Sequence, residues 1–435
     1  MIKFMLLLCI TTSVFAKNIV EEGYLIFDRS KKSLSIFKNH PDLTIDHITP
    51  DGYEVYGPKK LALWLETLDI PYVPLMKVSE HPKLAASYPT PEEIADQLTA
   101  LRDLYPHIIK LISIGKSHRG RDLWVVKISD NPELDELEPE FKYIANMHGD
   151  EIVGRELMLR LIKDMAEQYN KDPYITQLIN ATEIFIMPSM NPDGADNKRR
   201  GNQRSVDLNR DFPDFTTRDN RNRWENRELE TQAVMQWQSQ RNFSLSANFH
   251  GGTEVVNYPW DTHHLNAPNT PLIIQLSKSY ASLVPSMARS TQFPGGIVNG
   301  YKWYEVNGGM QDWSYYWYND LQVTIELSHA KWPRYSMIDE YYKKNRQALL
   351  SYIGKIHQGF GIKLNEIGLQ VNIQQIVSKN LIRNIGEFST ATNEFHKVLL
   401  PGEYMIKVTD RTGQVWTFEQ TISQTFTPTL YNLLN

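Results

Sequence analysis

One cysteine, Cys9, stands in 435 residues, and it lies inside the apolar run Phe4–Ile10. Beyond that run disulfides are excluded as a source of stability, and thiolate is excluded as a metal ligand, which leaves His, Asp and Glu. Cationic stretches are also missing. The 46 Lys and Arg are offset by 51 Asp and Glu, for a net charge of −5, so no role on nucleic acid is expected. No apolar run is long enough to span a bilayer, and there is no internal repeat or low-complexity tract. What is present is 41% hydrophobic residues, enough for a sizeable core, in a length that suggests two or three domains.

Residues 1–16 carry Lys3, the run Phe4–Ile10 and then Val14-Phe15-Ala16. This pattern reads as a secretory signal peptide cut near Ala16, so the protein is expected to be exported, to the periplasm or the medium. A lipid anchor on Cys9 is disfavoured, because the apolar run continues past it and Leu7 and Leu8 before it are bulky.

Residues 17–85 read as a small α+β module. Tyr24–Phe27 and Tyr53–Tyr56 are strand-like, Leu61–Leu68 is helical in period, and Pro71, Pro74 and Pro82 end it. A strong helix start follows at Thr90-Pro91-Glu92-Glu93, with Ile94, Leu98, Leu101 and Tyr105 at helical spacing. Strand signals at 108–112, 123–128, 141–146, 183–187, 244–249 and 321–327 alternate with helical stretches at 151–168 and 225–241. Over 86–361 this predicts an α/β domain with a mixed, largely parallel central sheet flanked by helices. Residues 362–435 turn to short alternating runs such as Glu403–Val408 between Pro401-Gly402 and Thr412-Gly413, the texture of a β-sandwich.

The chemistry gathers at strand ends, where ligand sites in such sheets lie. His148 and Glu151 follow the apolar run Tyr143–Ala145, and the first helical turn is expected to set the carboxylate beside the imidazole. Taken alone, a surface His beside a solvated acid is the better reading. His250, before Gly251 and Gly252, closes another apolar strand and is a third candidate ligand. Three protein ligands leave one position open, the arrangement of a hydrolytic zinc. Glu326 ends the strand Val323-Thr324-Ile325, where partial desolvation suits a general base; an ordinary ion pair there is equally compatible. The stretch 199–213 concentrates Arg and Asn without periodicity. It suits a planar anion gripped through paired hydrogen bonds, and equally a solvated loop.

Six blocks occur in order: Asn146–Glu151, Asn191-Pro192-Asp193-Gly194, Asp207-Leu208-Asn209-Arg210, His250-Gly251-Gly252, Gly308-Gly309-Met310-Gln311-Asp312 and Glu326-Leu327-Ser328. Together, over roughly 88–360, they resemble the funnel-type zinc metallocarboxypeptidases, closest to their regulatory N/E branch. The resemblance implies one Zn2+ held by His148, Glu151 and His250, with Glu326 as general base. It implies that Asn209 and Arg210 clamp a terminal carboxylate. Arg200 is the implied oxyanion stabiliser, with Arg199 as the competing choice. Tyr304 maps to a mobile Tyr that closes over substrate, with Gly295, Gly296, Gly300, Gly308 and Gly309 as hinges, while Tyr301, Trp303 and Tyr315 are expected in the core. Asp261 aligns with an acidic position that recognises terminal Lys or Arg, and Gln311 with another pocket position; Asp261 also reads as an ordinary loop residue.

Two departures stand out. His329 follows Glu326-Leu327-Ser328 where the branch often has Cys, and Lys198-Arg199-Arg200 replaces a longer loop. The tail resembles the transthyretin-like sandwich that follows this branch's catalytic domain, on Gly386-Glu387-Phe388 and Leu400–Tyr404. Residues 17–85 take the place a propeptide holds in other branches. The expectation is an exported, monomeric zinc carboxypeptidase acting on peptide or protein C-termini, with Lys or Arg preferred. The alternatives are a murein stem-peptide peptidase or amidase on the same scaffold, and a non-catalytic peptide-binding homologue.

Overall fold

The computed structural model describes residues 19–75, 87–423 and 431–433, apart from 29, 50, 51, 69, 365, 366, 379 and 390–392. The expected signal peptide with Cys9, and the expected boundary at 85/86, lie outside these.

The N-terminal module is a four-stranded antiparallel sheet: β1 (Glu22–Ile26), β2 (Thr44–Thr49), β3 (Gly52–Gly57) and β4 (Tyr72–Pro74), in the order β2-β3-β1-β4. Helices Lys31–Lys38 and Leu61–Glu66 close one face over a core that includes Phe37, Tyr53, Val55 and Leu65. Strand β2 has no clear signal in the sequence. Its apolar residues are interrupted by Asp46-His47, and the pair is buried.

The catalytic-size domain is built on eight strands: β5 (Ile109–Lys116), β6 (Asp122–Ile128), β7 (Glu140–Ala145), β8 (Glu183–Met187), β9 (Phe243–His250), β10 (Glu254–Tyr258), β11 (Ile297–Asn299) and β12 (Leu321–Leu327). Their order is β11-β10-β12-β9-β7-β8-β6-β5. The middle strands β12, β9, β7 and β8 are mutually parallel, with antiparallel pairings on both flanks, so the sheet is mixed as expected. Those four strands are buried along their whole length, because helices cover both faces. Alternation sorts their side chains. Tyr143, Ala145, Ala247 and Phe249 meet helices Val153–Gln168 and Ile338–Gly354, while Ile144, Phe185 and Met187 face Leu229–Gln238 and Met310–Tyr318. Lys142 is buried in the second layer, where Asp320 neutralises it and Gln238 and Ser314 accept from its Nζ at 2.7 and 3.1 Å. The helix Pro91–Leu104 starts with the expected reciprocal cap between Thr90 and Glu93.

Beyond the sheet, Gly359–Lys363 crosses the expected boundary at 361/362 and pairs with Glu394–Val398 and Tyr431–Leu433. A four-stranded antiparallel sheet, Gln370–Ser378, Leu381–Ser389, Gly402–Thr409 and Val415–Ile422, packs on it through Phe360, Ile362, Ile373, Phe395 and Ile406, giving the sandwich. Among the described residues, no helix is long and apolar enough to cross a membrane.

Candidate active site

Parallel register brings the functional groups together. Glu326 of β12 lies directly beside His250 of β9, and Phe249 pairs with Ala145, the last residue of β7, three positions before His148. Glu151 reaches the same point by a different route from the one expected. The helix starts only at Val153, and residues 148–151 form a turn with Glu151 N donating to His148 O at 3.2 Å. Asn146 makes that turn possible. Its backbone is left-handed, with φ 56°, and its Nδ2 donates to the carbonyls of His148 and Glu151 at 2.8 and 3.3 Å. At Gly149 a Cβ would sit 2.1 Å from Gly194 C, so only glycine fits where the two motif loops cross.

His148 Nδ1, Glu151 Oε2 and His250 Nδ1 form a triangle with sides of 3.0, 2.9 and 3.0 Å, and all three side chains are buried. His148 Nε2 lies 3.0 Å from Asp207 Oδ1. A proton held on Nε2 by that carboxylate leaves the Nδ1 lone pair facing the triangle, the usual arrangement of a metal-ligating imidazole. Two nitrogens and one carboxylate oxygen, drawn together in a buried triangle, are a donor set that would suit zinc. Burial opposes ionisation of Glu151 and Asp207. His148 and His250 nonetheless hold Glu151 well below the usual carboxylate range, and Arg200 and His148 do the same for Asp207.

Of the two competing arginines, Arg199 is exposed, whereas Arg200 is buried beside the triangle. Its Nε donates to Asp207 Oδ2 at 3.0 Å, its Nη1 lies 3.4 Å from Glu151 Oε1, and its Nη2 has no hydrogen-bond partner among the described residues. Glu326 is buried, with Oε2 also unpartnered. Asn209 Oδ1 accepts from Met310 N at 3.0 Å, and Arg210 Nη1 donates to Asn209 O at 3.0 Å. Tyr304 is buried; Tyr301 and Trp303, expected in the core, are only half-buried, and Tyr315 is buried as expected.

Asp261 and Gln311 are buried in one hydrogen-bonded cluster. Asp261 Oδ1 accepts from Asn257 Nδ2 at 2.9 Å and Gln311 Nε2 at 3.0 Å, and burial pushes the Asp261 carboxyl up to about 7. Gly300 borders it, and a Cβ there would fall 1.6 Å from Asp261 Oδ1. His329 points away, with a side chain 75% exposed and 3.8 Å from Glu254.

Four residues not singled out from the sequence complete the site. Asp207 sat unassigned within a quoted motif. Lys331 Nζ lies 2.9 Å from Glu54 Oε2 and 3.5 Å from Glu151 Oε1. Asp46 and His47 come from the N-terminal module. Asp46 pairs with Arg200 Nη1 at 2.5 Å and accepts from Tyr304 OH at 2.6 Å, and His47 Nε2 lies 3.5 Å from Glu326 Oε1.

A zinc carboxypeptidase family model matches residues 94–348. Carboxypeptidase M of Mus musculus is 40% identical over 340 residues, 72% of this chain and 75% of that protein. The carboxypeptidase N catalytic chain of Mus musculus is 35% identical over 361 residues, 72% and 79% of the two chains. Carboxypeptidase D of Anas platyrhynchos is 43% identical over 282 residues, 59% of this chain but only 20% of that longer protein. Among solved structures, carboxypeptidase A from Helicoverpa armigera superposes with a TM-score of 0.60 at 15% identity, over 79% of this chain and 98% of that one. Thrombin-activatable fibrinolysis inhibitor does so with 0.59 at 16%, over 77% and 98%. These two share the fold. The chain belongs to the zinc carboxypeptidase family, in the regulatory branch of carboxypeptidases M, D and N.

Proposed function

We propose that this metallocarboxypeptidase is an exported monomer that releases Lys or Arg from peptide C-termini, with zinc seated on His148, Glu151 and His250. The buried polar cluster around Asp261 carries the specificity. Asn257 Oδ1, Gln311 Oε1 and Asp312 Oδ1 are buried acceptors without a hydrogen-bond donor among the described residues, grouped about a carboxyl whose ionisation burial resists. A cationic side chain supplies the missing donors and restores the charge on Asp261, whereas an apolar or acidic one leaves them desolvated.

Bound zinc supplies a charge that polarises the scissile carbonyl and acidifies water. Arg210 and Asn209 take the terminal carboxylate, Arg210 through its planar fork. Glu326, dry and adjacent to the triangle, removes a proton from the attacking water and delivers it to the leaving amine. Arg200 Nη2, a buried donor without a hydrogen-bond partner among the described residues, stabilises charge developing on the former carbonyl oxygen. Tyr304 covers the bound residue. Export rests on the pattern of Met1–Ala16, and N-terminal sequencing of the mature protein from the medium or periplasm tests it.

The deciding experiment compares release of terminal Lys, Arg, Leu and Glu by the native chain and by Asp261→Ala. The native chain should prefer Lys and Arg, and Asp261→Ala should lose that preference by tenfold or more in kcat/KM. A native chain that favours murein stem peptides, or that is inert on every terminus, defeats the assignment. The preference should also depend on pH. Asp261 gains a proton as pH falls through about 7, so KM for Lys substrates should rise between pH 8 and 6 while KM for Leu substrates stays level.

A further inference from the structure

Sharing no residue with the triangle, His118, Glu228 and Glu230 form a second group whose donor atoms all lie within 4.8 Å of one another. His118 sits in the turn between β5 and β6. Ser117 N donates to Arg121 O at 2.8 Å and Gly120 N to Ser117 O at 2.9 Å, and Gly120 takes the left-handed φ of 80° that closes the turn. Arg119 N, next in the chain, donates to Asp193 Oδ2 at 2.9 Å, which ties the turn to the motif at 191–194. Glu228 and Glu230 stand at the start of the helix Leu229–Gln238. A carboxylate is favoured there by the helix dipole, yet the Glu228 side chain makes no capping hydrogen bond and turns to His118 instead.

The two carboxylates converge on the imidazole. His118 Nε2 lies 2.8 Å from Glu228 Oε2 and 3.9 Å from Glu230 Oε2. Asn202 orients the pair. Its Oδ1 accepts from Arg204 N and Val206 N at 2.9 and 3.1 Å, which fixes the amide so that Nδ2 donates to Glu228 Oε2 at 2.9 Å and to Glu230 Oε2 at 3.0 Å. Outer hydrogen bonds of this kind hold the ligands of metal sites in place. The other oxygen of Glu230, Oε1, is buried without a hydrogen-bond partner among the described residues. Both glutamate side chains are fully shielded, whereas that of His118 is 20% exposed, so an ion can approach from solvent past the imidazole. Arg204 Nη1 stands 3.8 Å from Glu228 Oε1 on a side chain 57% exposed, a solvated charge that does little to offset two buried carboxylates.

We propose that His118, Glu228 and Glu230 form a second, non-catalytic site for a divalent transition metal, with zinc as the ion it takes. One imidazole nitrogen with two carboxylate oxygens favours such an ion over Ca2+ or Mg2+, which prefer shells of oxygen alone. A dication also balances the two carboxylates while the imidazole stays neutral. The ion joins three segments far apart in sequence: the turn at 117–121, the start of the helix Leu229–Gln238 and, through Asn202, the loop at 202–206 that links Arg200 to Asp207. Its work is to brace that loop.

One set of full-length proteins separates this site from the triangle. Metal-free native chain, His118→Gln, Glu230→Gln, His148→Ala and the double variant His118→Gln with His148→Ala are titrated with Zn2+ alone by calorimetry, and melting is followed with and without the ion. The native chain should take up two equivalents, each of the three single variants one, and the double variant none. Zn2+ should raise the melting temperature of His148→Ala, and the double variant should lose that rise. Glutamine at 118 keeps a donor for Glu228 but does not replace the imidazole as a ligand. Melting without Zn2+ checks folding, and where one of the two glutamine variants melts early the other decides. If a folded His118→Gln or Glu230→Gln binds Zn2+ with native stoichiometry and affinity, the second site is overturned, whatever holds at the triangle. If His148→Ala keeps both equivalents while the glutamine variants lose one, the triangle is wrong and the second site stands.

Discussion

Asp207 shows how much of the site depends on a residue that touches neither metal nor substrate in the proposed arrangement. One of its oxygens orients the His148 ring and caps Asn209 N, and the other holds Arg200 Nε at 3.0 Å. Asp207→Asn keeps the shape but weakens the acceptor, so zinc affinity should fall by ~10–100-fold, measured by chelator competition, with little change in melting temperature. The groups with recognisable spacing were legible: His148 with Glu151, His250 before paired glycines, and Glu326 at a strand end all converge. Their supports were less so. Asp207 is invisible as a partner because its target lies 59 residues earlier in the chain. Asp46 and His47 look like a flaw in a strand, since nothing near them in sequence indicates that Arg200 and Glu326 await them.

At the level of elements, strand alternation carried the core of the fold, because β7, β8, β9 and β12 are apolar runs bounded by polar turns. What escaped were pieces defined by their neighbours. β10, which is not among the strand signals read from the sequence, pairs antiparallel with β12, and Glu151 sits on a turn held by Asn146 instead of a helix face. The join between the α/β domain and the sandwich has a character of its own. His396 Nδ1 lies 2.8 Å from Ser244 Oγ and His357 Nε2 lies 2.7 Å from Thr182 Oγ1, and burial pushes these imidazoles down to about 3 and about 4. With folded values below the unfolded value of about 6.5, both contribute stability that is present above pH ~6.5 and lost as pH falls through the folded values, at about 1.4 kcal/mol for each tenfold displacement of the proton equilibrium. Denaturant titrations at pH 7, 5.5 and 4.5 should show stability declining stepwise. His396→Asn, which keeps a hydrogen bond to Ser244 but cannot titrate, should flatten part of that decline.

For the whole molecule, the N-terminal module meets the α/β domain at the site, through Asp46 and Arg200, whereas the sandwich meets it at the opposite ends of the strands, through Asn242 and Ser244; neither docking was legible in the sequence. The N-terminal module joins the catalytic domain at a second place besides Asp46. Ile19 bridges Val206 in antiparallel fashion, and Val20 N donates to Ser205 O at 2.8 Å. A Cβ on Gly201 would lie 2.9 Å from a Val20 methyl, so the segment that bears Arg200, Asp207 and Arg210 rests on the chain that precedes it. Loss of the Ile19 and Val20 contacts would therefore take the splint from the wall that carries Arg200 and Arg210. Amide exchange at Val206 and its neighbours should quicken in a Val20→Pro variant, which removes the hydrogen bond to Ser205 O, and slow again when a substrate carboxylate bridges the wall. A wall braced in this way would borrow part of its rigidity from the ligand it grips.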